Sequence, residues 1–285
     1  MAPLEAHGAR AIHVTQEDIR RLCEFLYRRT GMSFDDNKRY YIDRRVTERM
    51  AATGSESFQS YFATLRSDAD HEIEHLVNAF TVNETYFYRE DHQLRCMTSS
   101  LLQDIVRRKK NQDAIRIWSI PCSTGEEPYS IAMWLMENWA DVDSHNIEIV
   151  GSDIDTRVLI EAANGLYGER ALSRLPAELV KRYFEPVGER QQIITDLRES
   201  VKFTQVNIMD SATTARQGMF DVIFCRNVLI YFDDAARLAA SHNLFSALNR
   251  GGFICLGHSE SMARISDRFD VRRFEDAIVY QRPEQ

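Results

Sequence analysis

The sequence predicts an α/β fold built on a doubly wound sheet, with an all-helical domain before the sheet and a small antiparallel β insertion within it. Three observations support this prediction. Residues 15–80 repeat apolar side chains at helical spacing, with little β-type alternation. From about residue 114 onward, strand-like and helix-like segments alternate. Between residues 165 and 201 the alternation lapses, and a hairpin pattern around a glycine replaces it.

The helical domain is predicted to span residues 14–80, after a loose arm at residues 1–13. Ile42, Val46 and Met50 are spaced four residues apart, so they share one face of a helix. We therefore expect these three side chains to enter the core of the helical domain. The domain is small, at about 70 residues, but within the range that folds as a unit.

A stretch at residues 81–113 is expected to join the helical domain to an α/β domain at residues 114–285. The β insertion should occupy about residues 168–200, with its hairpin over Val187 to Ile194. Apolar segments predict the strands of the main sheet, and the last two should close it as an antiparallel pair. The predicted strands are Ile115 to Ile120, Ile147 to Gly151, Val201 to Gln205, Phe220 to Cys225, Phe253 to Gly257 and Ala277 to Gln281.

Three helices are predicted between these strands. The first runs from Pro128 to Trp139, with proline in its first turn, where the missing N–H costs little. The second runs from Thr156 to Asn164, and Gly165 should end it. The third runs from Asp234 to Leu248 and is expected to end before the Gly251-Gly252 pair.

The composition excludes several classes of protein. The net charge is −8 and the isoelectric point about 5.6, so tight nucleic-acid binding is not expected. The five cysteines are scattered without a CxxC pair, which favours reduced thiols over a disulfide framework. No apolar run reaches the length of a membrane span, and no signal-peptide core or metal-ligand spacing occurs. A cytoplasmic protein without membrane insertion or a metal site is expected.

The most informative segment is the loop at residues 121–127, which follows the first predicted strand and ends in Glu126 and Glu127. This junction is where doubly wound sheets bind nucleotides. A phosphate cradle presents N–H groups and attracts anions, whereas two acids repel a pyrophosphate. The loop also lacks G-x-G-x-x-G, which disfavours a dinucleotide-dependent dehydrogenase. We expect a ligand with hydroxyl groups or a positive charge, with Glu127 facing it and Glu126 supporting the helix start.

The end of the second strand carries two acids, Asp153 and Asp155. An acid at this place commonly accepts a hydrogen bond from a ribose hydroxyl. We assign that interaction to Asp153 and the N-cap of the following helix to Asp155. The alternative is that Asp153 is only a helix cap.

Two further segments are candidates for a binding site. Arg226 and Asn227 follow a buried strand and precede Tyr231, at the strand end where α/β sheets place ligands. Residues 83–90 combine polar groups with three aromatic residues between the predicted domains. The alternatives are that the aromatic residues belong to the core, that Asn227 is a turn residue, and that Arg89 forms a surface ion pair.

A basic stripe is predicted on one helix of the N-terminal domain. Lys38, Arg45 and Arg49 fall on the same side, since steps of seven and four residues return to one helix face. The stripe is either a solvated face or a docking surface for an acidic helical partner.

Several segments together resemble the CheR-type chemotaxis receptor methyltransferases. The similarity runs from about residue 15 to residue 282. The matching strings are NETYFYRE (83–90), WSIPCSTGEEPYSIAM (118–133), SDIDTRVLIEAANGLY (152–167), VNIMD (206–210), FDVIFCRNVLIYF (220–232) and GHSES (257–261). The resemblance implies a Rossmann-like class I methyltransferase sheet that uses S-adenosyl-L-methionine and releases S-adenosyl-L-homocysteine. It also implies that glutamates on the receptors' cytoplasmic helices become methyl esters during adaptation in chemotaxis signalling.

The resemblance also assigns site residues. It implies that the cofactor is bound by Asn83, Thr85, Arg89, Glu127, Asp153, Asn207, Ile208, Asn227 and Val228. Arg89 and Tyr231 match positions near the reacting groups. Our hypothesis is that Arg89 steers a carboxylate and that Tyr231 shapes the path of the methyl group.

The family's helical domain docks on receptors, which favours the docking interpretation of Lys38, Arg45 and Arg49. In some members of the family, the β insertion binds a pentapeptide at the receptor's C-terminus. The hairpin Val187 to Ile194 is short here, so we expect an enzyme that does not need this pentapeptide. We also expect a monomer. The alternative function is a non-catalytic signalling module that binds S-adenosylmethionine or S-adenosylhomocysteine. A third possibility is a methyltransferase for another substrate.

Overall fold

A computed structural model describes residues 14–34, 36–67, 71–109 and 113–285. The predicted arm at residues 1–13 lies outside this part of the chain. The chain divides into two compact units. One comprises Ser33–Phe80 with the chain up to Arg29, and the other comprises Thr30–Met32 with Thr81–Gln285. None of the helices described here is both long and apolar enough for a membrane span.

The first unit is helical, and its core follows the predicted spacing. Ile42, Val46 and Met50 are buried on one face of the second helix, as predicted. A 3₁₀ turn, Asp36–Lys38, leads into that helix. The helices are α1 (Gln16–Thr30), α2 (Arg39–Ala52), α3 (Phe58–Ser67) and α4 (His71–Phe80).

The second unit alternates strands and helices, as predicted. Its helices are α5 (Asp91–Cys96), α6 (Leu102–Arg108), α7 (Glu126–Asn138), α8 (Thr156–Asn164), α9 (Glu169–Leu172), α10 (Ala177–Tyr183), α11 (Thr195–Glu199), α12 (Ser211–Ala215) and α13 (Asp234–Ala247). A π-helical turn, Met97–Leu101, joins α5 to α6. Its strands are β1 (Ile115–Ser119), β2 (Ile147–Asp153), β3 (Leu166–Tyr167), β4 (Phe184–Val187), β5 (Arg190–Ile193), β6 (Val201–Gln205), β7 (Phe220–Cys225), β8 (Leu248–Leu256), β9 (Asp270–Arg273) and β10 (Ile278–Gln281).

The main sheet has seven strands in the order β6-β2-β1-β7-β8-β10-β9. The first five strands in this order, β6, β2, β1, β7 and β8, are parallel to one another. Strand β10 pairs antiparallel with β8 and β9. The first strand, β1, lies between β2 and β7, so the chain switches direction across the sheet at this point. The carboxyl ends of β1, β2 and β7 therefore meet at one edge, where doubly wound sheets bind ligands.

Strand β7 lies at the centre of the sheet and is buried at every position, as its apolar run predicted. Its first residue, Phe220, stacks on Trp118 of β1 with ring centroids 4.7 Å apart. This packing makes the central strands a rigid base for the loops at their carboxyl ends.

Two predicted strand boundaries were wrong. Helix α13 ends at Ala247, one residue before the predicted Leu248, but β8 begins at Leu248, which pairs with Phe220, rather than at Phe253. The two glycines lie where the β7–β8 register shifts, and Gly251 has a φ of +71°, so they allow a bulge. The hairpin of the β insertion begins at Phe184 rather than Val187 and turns at Gly188, and β3 adds a third strand.

Candidate active site

A cleft lies in the second unit, at the carboxyl ends of β1, β2, β6 and β7. It encloses about 980 Å³ of empty space, its open mouth included. This volume suits a small organic cofactor. The cleft is lined by every residue predicted for cofactor binding or catalysis: Asn83, Thr85, Arg89, Glu127, Asp153, Asn207, Ile208, Asn227, Val228 and Tyr231.

The loop after β1 uses its own N–H groups within the fold. Cys122 N donates to Ser152 O at 2.8 Å, and Ser123 N donates to Asp153 Oδ2 at 2.9 Å. Gly125 N donates to Cys122 O at 3.0 Å. These amides are therefore not arranged as a phosphate cradle. The loop reaches this shape with Ser123 in the left-handed region, at a φ of +49°.

Asp153 is the buried acceptor at the end of β2. Its Oδ2 accepts from Ser123 N at 2.9 Å and its Oδ1 accepts from Asp155 N at 3.0 Å. A carboxylate has about four lone-pair sites, so each oxygen can accept a further donor from the cleft. Burial raises the pKa of Asp153 to about 6.

Asp155 is the N-cap of α8, as predicted, and its side chain accepts from Arg157 N at 3.0 Å. The same carboxylate accepts from Thr81 Oγ1 at 2.6 Å and Asn83 Nδ2 at 3.0 Å. These bonds tie the segment before Thr85 to the loop after β2. Asn83 thus lines the cleft, and its hydrogen bond to Asp155 also holds the cleft wall in place.

Glu127 lies in the cleft wall, and its charge is balanced. Ser119 Oγ donates to Glu127 Oε1 at 2.8 Å, and the buried Arg226 guanidinium donates to Oε2. Glu127 was predicted to face the ligand, with no partner assigned, and the structure pairs it with Arg226, 99 positions away. Glu126 lies outside the cleft lining, where it accepts from Thr124 Oγ1 at 2.7 Å. Burial raises the pKa of Glu126 to about 7.

Arg226 also supports Arg89, because its Nη1 donates to the Arg89 carbonyl at 2.7 Å. The Arg89 guanidinium is half-buried, donates to Glu84 O at 2.8 Å, and lies 5.7 Å from the Tyr86 ring centroid. A guanidinium has five N–H donors, so Arg89 can still donate to a carboxylate in the cleft.

The loop after β6 contributes Asn207 and Ile208. Asn207 Oδ1 accepts from Met209 N at 3.0 Å, which shapes its own turn. Ile208 is buried, and its carbonyl accepts from Asn243 Nδ2 of α13 at 2.9 Å. The apolar Ile208 side chain therefore presents a fixed surface to the cleft.

The loop after β7 contains Asn227 at a φ of +59° and continues into a 3₁₀ turn, Leu229–Tyr231. Four backbone N–H groups around this loop donate to the carboxylate of Glu260. Glu260 was not predicted as a site residue, and Arg226 was placed in a candidate segment without an assigned role. The GHSES string at 257–261 contained the only sequence signal for Glu260.

The hydrogen-bonding groups of the cleft suit a cofactor without phosphate. Carboxylates from Asp153 and Glu127 line it, and the amides of the first loop bond within the protein. Hydroxyl groups and a cationic centre fit these acceptors. Among the described residues, no cluster of three or more His, Cys, Asp or Glu could hold a metal ion.

In the helical unit, the structure revises the predicted basic stripe. Arg49 forms a two-pronged salt bridge with buried Glu72, with Nε–Oε1 at 3.0 Å and Nη2–Oε2 at 2.5 Å. Arg45 donates to the Ala79 carbonyl and lies 3.7 Å over the Tyr41 ring. Lys38 is exposed. Arg49 is thus an internal structural residue, because its charge is used within the unit.

Comparisons with known proteins cover both units. A family model described as CheR methyltransferase, SAM binding domain, matches residues 83–278, and one described as CheR methyltransferase, all-alpha domain, matches residues 17–81. The chain is 45% identical over 274 residues to Chemotaxis protein methyltransferase 2 of Vibrio cholerae, covering 95% of each protein. It is 37% identical to Chemotaxis protein methyltransferase 2 of Pseudomonas aeruginosa, covering 93% of each. It is 34% identical to Chemotaxis protein methyltransferase of Escherichia coli, covering 89% of this chain and 87% of that one.

Proposed function

This chain belongs to the CheR methyltransferase family and has that family's S-adenosylmethionine-binding domain, and we propose that it methylates glutamate side chains of chemotaxis receptors. The products are glutamyl methyl esters on the receptors' cytoplasmic helices and S-adenosylhomocysteine. One observation carries the proposal: all ten predicted site residues line a single cleft. An intact cleft favours the catalytic function over a non-catalytic signalling module.

The residues of the cleft fit the parts of the cofactor. S-adenosylmethionine, when bound, supplies a methyl group on a positively charged sulfur. Asp153 would accept from its ribose, and Glu127 lies on the same wall. Asn207, Ile208, Asn227 and Val228 would line its adenine and methionine ends.

The receptor glutamate needs no general base. Its reference pKa is about 4.3, so at neutral pH it is already a carboxylate that can accept a methyl group without proton transfer. The protein's part is to align the reactants and keep water out of the cleft. Arg89, with N–H donors available at the cleft, would hold the carboxylate, and Tyr231 would border the path of the methyl group.

The helical unit would dock on the acidic receptor helices. Lys38 and Arg44 are exposed on or beside α2, and opposite charges favour association. Arg45 is half-buried and contributes through its outward surface, whereas Arg49 is excluded by its bond to Glu72.

Methyl transfer from labelled S-adenosylmethionine to receptor cytoplasmic fragments tests the proposal. We expect label on the fragments, release of the label as methanol in mild alkali, and loss of label when the acceptor glutamates are changed to alanine. Alkali separates esters from N-methyl groups, which are stable. S-adenosylhomocysteine binding without transfer to any receptor fragment would support the non-catalytic module instead.

A further inference from the structure

Glu260 holds a backbone loop with a single carboxylate. Its Oε2 accepts from Asn227 N at 2.8 Å and Gly257 N at 2.9 Å. Its Oε1 accepts from Leu229 N at 2.8 Å and Val228 N at 3.1 Å. A carboxylate has about four lone-pair sites, so these four bonds saturate it. Glu260 is therefore committed to the backbone, and it does not line the cleft.

The backbone is shaped to receive this anion. Asn227 has a φ of +59°, and a left-handed residue turns successive N–H groups toward one point, forming an anion-binding nest. Gly257 permits the close approach, since an added Cβ would lie 2.7 Å from Asn227 Nδ2 and 2.9 Å from Glu260 Oε2. The nest thus joins the carboxyl ends of the neighbouring strands β7 and β8.

We propose that Glu260 is the positioning residue that fixes the Asn227–Tyr231 wall of the cleft before the cofactor binds. The proposal rests on the proposed function, because it assigns that wall to the methyltransferase site. Three residues of the wall, Asn227, Val228 and Tyr231, line the cleft. Binding to a wall that is already ordered costs less conformational entropy.

Glu260→Gln tests this proposal. The amide offers one oxygen in place of two and directs an NH₂ group at backbone donors, so two of the four N–H groups lose their acceptor. In the ligand-free variant we expect the amides of one of the two pairs, Asn227 with Gly257 or Val228 with Leu229, to exchange hydrogen at least about tenfold faster. We also expect the Kd for S-adenosylhomocysteine to rise by about tenfold or more, and kcat to fall.

Asp221→Asn is the matched control. Asp221 is a buried carboxylate near the start of β7, at the end of that strand opposite to the loop that Glu260 holds. It accepts from Arg116 N at 2.8 Å and Asn249 Nδ2 at 2.8 Å, and pairs with Lys109 at 2.7 Å. We expect this change to lower the unfolding temperature while the Kd for S-adenosylhomocysteine stays within about twofold of the wild-type value.

Gly257→Ala is a second variant, in case Glu260→Gln does not fold. Its Cβ should displace the side chains of Asn227 and Glu260, speed hydrogen exchange of the loop amides and raise the same Kd. The proposal is overturned if Glu260→Gln leaves amide exchange and Kd within about twofold of wild type. It is also overturned if both carboxylate variants lose affinity in proportion to stability. If instead the wild-type protein binds S-adenosylhomocysteine but methylates no receptor, the proposed substrate fails and the positioning role stands.

Discussion

Asp153 and Glu127 are both buried carboxylates of the cleft, but their partners give them different chemistry. Glu127 is neutralised by Arg226, whereas Asp153 accepts only uncharged backbone N–H groups among its hydrogen bonds. Burial therefore raises the pKa of Asp153 to about 6. Asp153 is the cleft residue whose charge is expected to change near neutral pH.

We predict that affinity for S-adenosylhomocysteine rises with pH through about 6 and is constant above about 7, because the ionised form of Asp153 is the better acceptor for a ribose hydroxyl. Because the ligand prefers the ionised form, its binding to protein with protonated Asp153, below about pH 6, should release a proton. Calorimetric titrations between about pH 5.5 and pH 8 measure the effect.

Two variants check the assignment to Asp153. Asp153→Asn should bind more weakly and lose the pH dependence. Glu126→Gln should retain the dependence, because Glu126 lies outside the cleft lining although its pKa is about 7. A pH dependence that persists in Asp153→Asn would show that another group controls binding.

We predict that Arg89→Ala lowers kcat/KM for receptor methylation by about 100-fold, because a charged donor to the substrate or cofactor carboxylate is lost. Tyr231→Phe should lower it by about tenfold. Arg95→Ala is the control: Arg95 is in the same segment but pairs with Asp276 at 3.3 Å outside the cleft. Turnover and cofactor affinity that are unchanged in both Arg89→Ala and Tyr231→Phe would remove these roles.

The basic residues of helix α2 have two different roles. Arg49 and Tyr61 both bond to Glu72, whose side chain is 5% exposed, and this network joins α2, α3 and α4. Arg44 instead pairs with Glu48 on the exposed surface at 2.8 Å. The helix thus has an internal charged face and an external one.

We predict that Arg49→Ala destabilises the protein by about 3 kcal/mol, because it leaves the buried Glu72 charge unpaired. Arg44→Ala should change stability far less than Arg49→Ala, as is usual for exposed pairs. Urea denaturation followed by circular dichroism measures both. Equal stability of the two variants would mean that the Glu72 bridge contributes little.

Lys38→Glu/Arg44→Glu should raise the KM for receptor several-fold and leave S-adenosylhomocysteine affinity unchanged, because the altered charges are exposed on the helical unit. The control is Lys181→Glu/Lys202→Glu, which reverses two charges on the second unit. Both of these lysines are exposed. If the two charge reversals raise KM equally, net charge rather than a docking surface explains the effect.

The β insertion has poor edges for a peptide that binds by strand addition. Its outer strands are β3, which has two residues, and β4, which contains Pro186. Proline lacks an N–H group, so it weakens pairing at an edge. We therefore predict that calorimetry detects no micromolar binding of a receptor C-terminal pentapeptide, and a micromolar Kd would show that a tether site exists.

For the whole molecule, cofactor binding should stabilise one unit directly, because every lining residue of the cleft belongs to the second unit. At a ligand concentration of 100 Kd, the expected stabilisation of that unit is about 2.7 kcal/mol. Hydrogen exchange of the full chain should show protection by S-adenosylhomocysteine around residues 121–127 and 227–231. Equal protection of α2 and α3 would indicate coupling between the units.

Much of the architecture follows from local pattern. The spacing of Ile42, Val46 and Met50 predicted the buried face of α2, and the apolar run Phe220–Cys225 predicted a fully buried strand. The Gly251-Gly252 pair misled, since a glycine pair is compatible with either a helix end or a bulge. The pairing of Leu248 with Phe220 distinguishes the two, and it depends on a residue 28 positions away.

The functional site likewise has features that the sequence predicts and features that only the fold decides. The ten residues named from the motifs and the family resemblance all line the cleft, because a motif is a local property of the chain. The charge balance of Glu127, the internal use of Arg49 and the nest around Glu260 were not predictable from spacing. Each depends on a partner brought close by the fold: Arg226, Glu72 and the Asn227 loop. Glu127 and Asp153 are both acceptors in the cleft. Of these two, Asp153 has no cationic partner among the hydrogen bonds described for it. Electrostatics depends on distance in space, whereas a motif records only order along the chain.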